Sequence, residues 1–504
     1  MKRNIILAAV IAVLPAAAVI AQSLCVDCVS IRVGRPFVVR GPSQNDIDIT
    51  FNQVKLANGN RRGFSANAQS NFVTGLDPWS MQGPVTTIPT LNSGTADGFS
   101  DCGRWLADTK RLVNGQIHGF VHAETGCNYA VNQTRKSLAY ATSSDNGVSW
   151  STPQQIITGP DAPWVGHMTG EGDCTVVDGK DSYYYAYCLR ASDWRTIVAR
   201  APVAAPGPGN WRKWFGNTWS EPGLAGQATP ILGASTSSPS SPTDPRMGMG
   251  SARWIAAGQI ILVGSDPITY PDGVSGFGGV KISFSSNKTN FVTLKEPLWV
   301  ADQESWTRAT GQALDFFFYF SMLSNEDSSN QLGNHFLITH TYINPGEDFD
   351  KRYLVFRDVY LTLNSAPMTP QVGVALTRWF NASTNDMRST VAPVPENFTS
   401  FVLEKSLGFL MTKAPTQYAS TQLEECSSNW PGHPDNILTF NGTCAPYGYK
   451  RLRTAGWVFQ SPQPNTVPIY RCFNPALVHH FASNQADCEN KGNMEFILGY
   501  GLQS

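Results

Sequence analysis

Charge is scarce in this sequence: Asp, Glu, Lys and Arg make up 15 % of its 504 residues and balance to a formal net −1. Such a balance leaves no basic stripe for nucleic acid and no cationic face for an anionic membrane. Long apolar runs are missing beyond Ile20, so no later segment is expected to span a bilayer. Sustained helical periodicity is missing too, which argues against a mainly helical fold. There is no G-x-S-x-G elbow, no H-E-x-x-H pair and no glycine-rich phosphate loop of the P-loop or dinucleotide kind. Serine-esterase, zinc-protease and nucleotide-dependent chemistry therefore drop out. No cofactor is expected, with a structural divalent metal such as calcium the single allowance.

What is present starts at the N-terminus. Met1-Lys2-Arg3 precedes an apolar run from Ile5 to Ile20 interrupted by Pro15, and Val19 and Ala21 fit the −3 and −1 positions of a cleavage site. That three-part pattern is a secretory signal over residues 1–21, too short for a spanning helix. The mature chain is then expected to be secreted, extracellular or periplasmic, with no membrane tie after cleavage. Its cysteines fit an oxidising compartment and fall into neighbouring pairs: Cys25/Cys28, Cys102/Cys127, Cys174/Cys188, Cys426/Cys444 and Cys472/Cys488. Sequential disulfides are expected, with Cys25-Val-Asp-Cys28 a small loop bridge rather than a metal motif. Aromatics reach 11 %, with 44 Gly and 33 Pro, a turn-rich composition that fits an all-β fold.

Short β-branched and aromatic runs recur between turn residues, as at Gln116–His122, Ser182–Leu189, Gln259–Val263, Leu314–Leu323, His335–Tyr342 and Tyr353–Leu363. Copies of a loop–strand–Gly turn–aromatic strand unit begin near Asp101, Asp173, Met249 and Trp306. With one more unit closed by both chain ends, the expectation is a five-bladed β-propeller over residues 22–414. Ser143-Ser-Asp145-Asn-Gly147-Val-Ser-Trp150 matches the Asp-box S-x-D-x-G-x-x-W, a hairpin in which Asp145 bonds turn amides and Gly147 takes a positive φ. It is structural and carries no chemistry. Residues 226–246 have a linker composition, and a boundary near 412–420 precedes a cysteine-bearing C-terminal accessory domain placed at 415–504.

The Asp-box and Gly172-Asp173-Cys-Thr-Val-Val-Asp-Gly-Lys-Asp-Ser-Tyr-Tyr-Tyr-Ala-Tyr187 carry a resemblance. Residues from about 95 to 360 resemble the five-bladed propeller glycosidases of the arabinanase, xylosidase and invertase type. That resemblance implies carboxylates at the starts of inner strands, one a base or nucleophile, one tuning pKa, and a Glu as acid. Cleavage of a glycosidic bond needs two carboxyl groups flanking it, one kept protonated. By position Asp101 is the base or nucleophile and Asp173 the orienting carboxylate. The third unit, Gly248-Met-Gly-Ser-Ala-Arg253, offers no Glu, so Glu171 or Glu304 is the candidate acid.

His118, His122 and Glu124 share one strand face with Phe120. They fit a divalent metal, hydrogen bonds to sugar hydroxyls, or a polar strand edge. His167, Arg253 and Trp306 are further candidate sugar contacts, with Arg104, Trp105 and Trp164 as candidate walls. In the tail, Tyr470-Arg-Cys-Phe-Asn-Pro475, His480-Phe-Ala-Ser483 and Gly499-Tyr-Gly-Leu502 resemble a repeat domain of unknown function on secreted bacterial hydrolases. Together these predict a secreted, monomeric, glycoside hydrolase-like protein whose partner is carbohydrate. The alternative is a propeller that binds a glycan or cell surface without cleaving it. A six-bladed sialidase-like fold ranks last, since one intact Asp-box is present.

Overall fold

Along Val29–Val33 buried and half-buried side chains alternate, the period of a strand with one face in a core. Strands of this kind dominate the molecule, and only single turns of 3-10 helix interrupt them among the described residues. The computed structural model describes residues 28–43, 47–92, 94, 97–233, 244–246, 248–255, 259–269, 275–294, 298, 316–325, 330–344, 347–348, 350–363, 372–394, 400–430 and 433–503. The expected signal at 1–21, Cys25, Glu304 and Trp306 lie outside that set.

After β1 (Val29–Val33) and β2 (Phe37–Arg40), five groups of antiparallel neighbours follow along the chain. The first is β3 (Asn52–Lys55), β4 (Arg61–Asn67), β5 (Gln69–Gly75) and β6 (Thr86–Thr87). The second is β7 (Gly103–Arg111), β8 (Ile117–Asn128), β9 (Gln133–Ser143) and β10 (Gln154–Thr158). The third runs β11 (Met168–Asp178), β12 (Tyr183–Arg190), β13 (Arg195–Pro202), β14 (Arg212–Phe215) and β15 (Thr218–Pro222). The fourth is β16 (Gly248–Ile255), β17 (Gln259–Thr269), β18 (Ser275–Ser285) and β19 (Val292–Thr293). In the fifth, β20 (Phe316–Ser324) is followed by β21 (Gln331–Leu332), which runs parallel to β16, and then by β22 (His335–Ile343) and β23 (Tyr353–Leu363). The N-terminal β1 adds antiparallel to β23. The chain start thus completes the fifth group, while the first group, β3–β6, is formed wholly downstream of it.

The core lies between the faces of successive groups. Val54 and Phe64 pack with Leu106 and Val121, then Phe120 and Leu138 with Val176 and Tyr184. Tyr185 and Val198 pack with Ala252 and Ile260, and Ile261 and Ile282 with Phe320 and Ile338. Leu337 and Phe356 then pack with Phe51 and Val73 of the first group. The turn after β9 is organised by Asp145, which accepts from the amides of Val148 and Ser149, with Gly147 at φ 82°. Trp150 is buried against Phe64 of the preceding group, edge to face at 5.9 Å.

The C-terminal strands are β24 (Val372–Asn381), β25 (Asp386–Thr390), β26 (Phe401–Met411), β27 (Ser420–Trp430), β28 (His433–Phe440), β29 (Lys450–Phe459), β30 (Thr466–Asn474), β31 (His479–Ser483) and β32 (Asn493–Leu502). β24 joins β1 in parallel, and β26 meets both β29 and β32, so strands before residue 415 share a sheet with those after it. Cys102–Cys127, Cys174–Cys188, Cys426–Cys444 and Cys472–Cys488 are bonded, the neighbouring pairs that sequence order suggests. Cys28 is bonded as well. Among the described residues no helix is long and apolar enough to cross a membrane.

Candidate active site

β11 contains a bulge between Gly172 and Thr175, and within it Asp173 adopts a φ of 47°. Bulges re-aim side chains, and a non-glycine residue at positive φ persists only where its surroundings hold it. Asp173 is held on two sides. Its carboxylate Oδ2 accepts from Lys136 Nζ of β9 at 2.6 Å, and its amide donates to His122 Nδ1 of β8 at 3.0 Å. The glycines around it make room: a Cβ on Gly172 would lie 2.7 Å from the His122 ring, and one on Gly170 would lie 2.2 Å from the Lys136 carbonyl.

Because Nδ1 of His122 accepts that amide, the ring proton sits on Nε2, which donates to Glu124 Oε1 at 3.0 Å. Trp105 backs the imidazole at 5.4 Å. Glu124 Oε2 accepts from the Tyr129 hydroxyl at 2.6 Å and from Thr134 Oγ1 at 3.1 Å, and Lys136 Nζ lies 3.5 Å from Oε1. Burial pushes the Glu124 and Asp173 carboxyls up, but Lys136 outweighs burial at both, helped at Glu124 by the His122 hydrogen bond, and holds them below the usual carboxylate range. Burial would strip the proton from Lys136, yet the two carboxylates hold it well above its ordinary value.

Asp48, just before β3, carries the third carboxyl. Its Oδ1 is 3.0 Å from Arg352 and accepts from the Tyr319 hydroxyl at 3.3 Å. Tyr319 sits at φ 55° in a second bulge, between Phe318 and Ser321 of β20. Its phenol is raised first by burial and then by the charges of Asp48, Asp173 and Glu124. Burial, only partly offset by Arg352 and reinforced by Glu124, raises Asp48 to about 6. Its side chain remains 20 % exposed, against 4 % for Asp173 and 8 % for Glu124. Among the described residues Asp48 Oδ2 and Asp173 Oδ1 accept no hydrogen bond. The cluster therefore contains one carboxyl that keeps its proton up to about pH 6 and two that lose theirs below the usual carboxylate range.

The sequence-predicted residues divide. Asp173, His122 and Glu124 come together here. Asp101 does not: it is exposed in the turn before β7, and the first-group carboxylate is Asp48 instead. Glu171 points away from Asp173 and is fully buried against Lys213 Nζ at 2.5 Å; burial raises the carboxyl and lowers the amine. Lys213 Nζ also donates to two backbone carbonyls, so Glu171 anchors β14. His118 packs beneath Tyr184 and Tyr140, and burial lowers it to about 4. Arg253 binds Asp108 at 3.0 Å, beside Lys110 at 2.7 Å, in a separate buried cluster. Arg104 is tied to Asp97 and Ser100. His167 and Trp164 are exposed in the loop before β11.

β16 contributes no carboxylate, and the reason is steric. A Cβ on Gly250 would lie 1.9 Å from the Val263 carbonyl, and one on Gly248 would lie 3.1 Å from Leu189. Gly248 and Gly250 line a recess beside Asp173 and Thr175. Among the described residues, the one group with metal-ligand spacing is Glu424, Cys426 and Cys444, and those two cysteines are bonded to each other.

No family model and no curated protein matches the chain. Among solved structures it is similar to an alpha-L-arabinofuranosidase from Podospora anserina in complex with cellotriose, at 13 % identity and a TM-score of 0.41, over 66 % of this chain and 97 % of that one. An alpha-L-arabinofuranosidase from Lactobacillus brevis aligns at 11 % identity and a TM-score of 0.42, over 64 % and 92 %. A GH43 protein from Bacillus licheniformis aligns over 93 % of this chain and 96 % of its own, at 9 % identity and a TM-score of 0.39.

Proposed function

We propose that the chain is a secreted five-bladed propeller that cleaves glycosidic bonds at the Asp48–Glu124–Asp173 cluster. The five face-to-face cores, the last returning to the first group, support the propeller reading, with an accessory module that starts at β24. The observation that carries the activity is the opposed protonation of carboxyls in one cluster. Such a split separates an acid from a base. In the mechanism, protonated Asp48 Oδ2 gives its proton to the glycosidic oxygen as that bond breaks. Water attacks the anomeric carbon and passes a proton to Asp173 Oδ1, so one water is consumed and both carboxyls recover on proton exchange with solvent. Glu124, bonded by His122, Tyr129 and Thr134, has no oxygen to spare and holds Lys136 and His122 in place.

The test is reducing-sugar release from arabinan, xylan, fructan and mannan. Asp48→Asn and Asp173→Asn are each expected to lower turnover on the cleaved polymer by about a hundredfold or more. Full activity in both variants would refute the assignment. A second reading, binding without cleavage, is favoured by one observation: β16 presents glycines where a further carboxylate would stand. It predicts no release from any polymer, with retardation by one of them in affinity gels.

A further inference from the structure

Among the described residues the other tryptophans are buried or half-buried, but Trp164 is 64 % exposed and Val165 beside it 80 %. The segment that holds Trp164 is braced. Its indole stacks on the His167 imidazole at 3.8 Å and 27°, and the His167 amide donates to the Trp164 carbonyl at 3.2 Å. Gly166 donates to Gln133 Oε1 at 3.2 Å, and Gln133 Nε2 donates to the Gly126 carbonyl at 2.8 Å. The loop is thus pinned to the β8–β9 hairpin that carries Glu124, Tyr129 and Lys136. On that hairpin Tyr129 is 58 % exposed while its hydroxyl is fixed to Glu124.

We propose that Trp164 and Tyr129 form a stacking platform at the rim of the site that holds a sugar unit beyond the one at the carboxyls, so the protein selects glycan chains over single sugars. This rests on the reading of the cluster as a carbohydrate site. The imidazole covers one face of the indole and leaves the other free. A flat, uncharged face offers the apolar C–H side of a sugar ring a partner. A ring already held in place loses little freedom on binding. Tyr129 links platform and cluster directly, since one side chain belongs to both.

The experiment is calorimetric titration of the purified protein with xylohexaose and arabinohexaose, and with xylose and arabinose as single-sugar controls. Trp164→Ala is expected to weaken the hexaose that binds about tenfold, equivalent to about 1.4 kcal/mol, and to leave single-sugar affinity unchanged. Trp164→Phe should restore most of the loss, and an unaltered melting temperature would show that the fold is intact. Equal hexaose affinity in the parent and Trp164→Ala overturns the platform and leaves the carboxyl site standing. Equal weakening of hexaose and single sugar overturns the chain-length claim. No hexaose binding by the parent protein overturns both.

Discussion

Lys136 serves two carboxylates, 2.6 Å from Asp173 and 3.5 Å from Glu124, with its side chain only 10 % exposed. Replacing it by Met leaves two buried charges without their cation, a change expected to cost about 3–5 kcal/mol in urea unfolding. A loss below about 1 kcal/mol would show that the pairs are solvent-screened rather than buried. The sign of the pH effect follows from the lowered pKa values. Asp173 and Glu124 stabilise the fold above their ordinary values, and that contribution disappears only as pH falls through the depressed folded ones. At this scale the sequence was partly legible. The i, i+2 spacing of His122 and Glu124 put both on one strand face, and its place at the opening of a repeated strand unit marked Asp173. Asp48 was missed because the repeat count began at Asp101, although Ile47-Asp48-Ile49-Thr50-Phe51 has the alternation of a strand opening on an acid. Lys136, Tyr319 and Arg352 carry no local pattern. They become visible only when strands remote in sequence meet.

Two bulges, in β11 and β20, turn Asp173 and Tyr319 to the same place, and neither is legible from alternation, which predicts the opposite face one residue on. β16 shows the reverse case: at Gly250 the Val263 carbonyl approaches too closely for any side chain, and Gly248 packs against Leu189. In the C-terminal strands, Arg378 of β24 is 1 % exposed and joins Glu489 through two bonds of 3.0 and 2.7 Å, and Glu404 of β26 at 2.7 Å. Arg378→Ala is expected to destabilise these strands by about 3–5 kcal/mol. Denaturation followed by tryptophan fluorescence should show it, and a change below about 1 kcal/mol would contradict it. Burial raises Glu489, but Arg378 and Ser483 outweigh it and hold it at about 2, below its ordinary 4.5. Its contribution is therefore present above pH 4.5 and lost as pH falls toward 2, and Glu489→Gln should flatten that part of the stability curve.

Across the whole molecule, strand content, cysteine pairing and several strand positions were legible because they depend on local composition, alternation and loop length. The closing arrangement was not. Both chain ends were expected to share one unit, whereas the N-terminal β1 and β2 join β23 and the C-terminal strands continue past it through β24. Pairing over more than three hundred residues leaves no local trace. What unites the molecule is that four of its five strand groups supply the cluster: Asp48 from the first, His122, Glu124 and Lys136 from the second, Asp173 from the third, Tyr319 and Arg352 from the fifth. The central claim is that Asp48 acts there as an acid. The direct measurement is the pH dependence of sugar release from whichever polymer is cleaved, for the parent and Asp48→Asn. Asp48 is protonated below about 6, so the parent rate should fall as pH rises through that value, and the variant should be slow with no such limb. A variant that keeps both the parent rate and its alkaline limb would contradict the account.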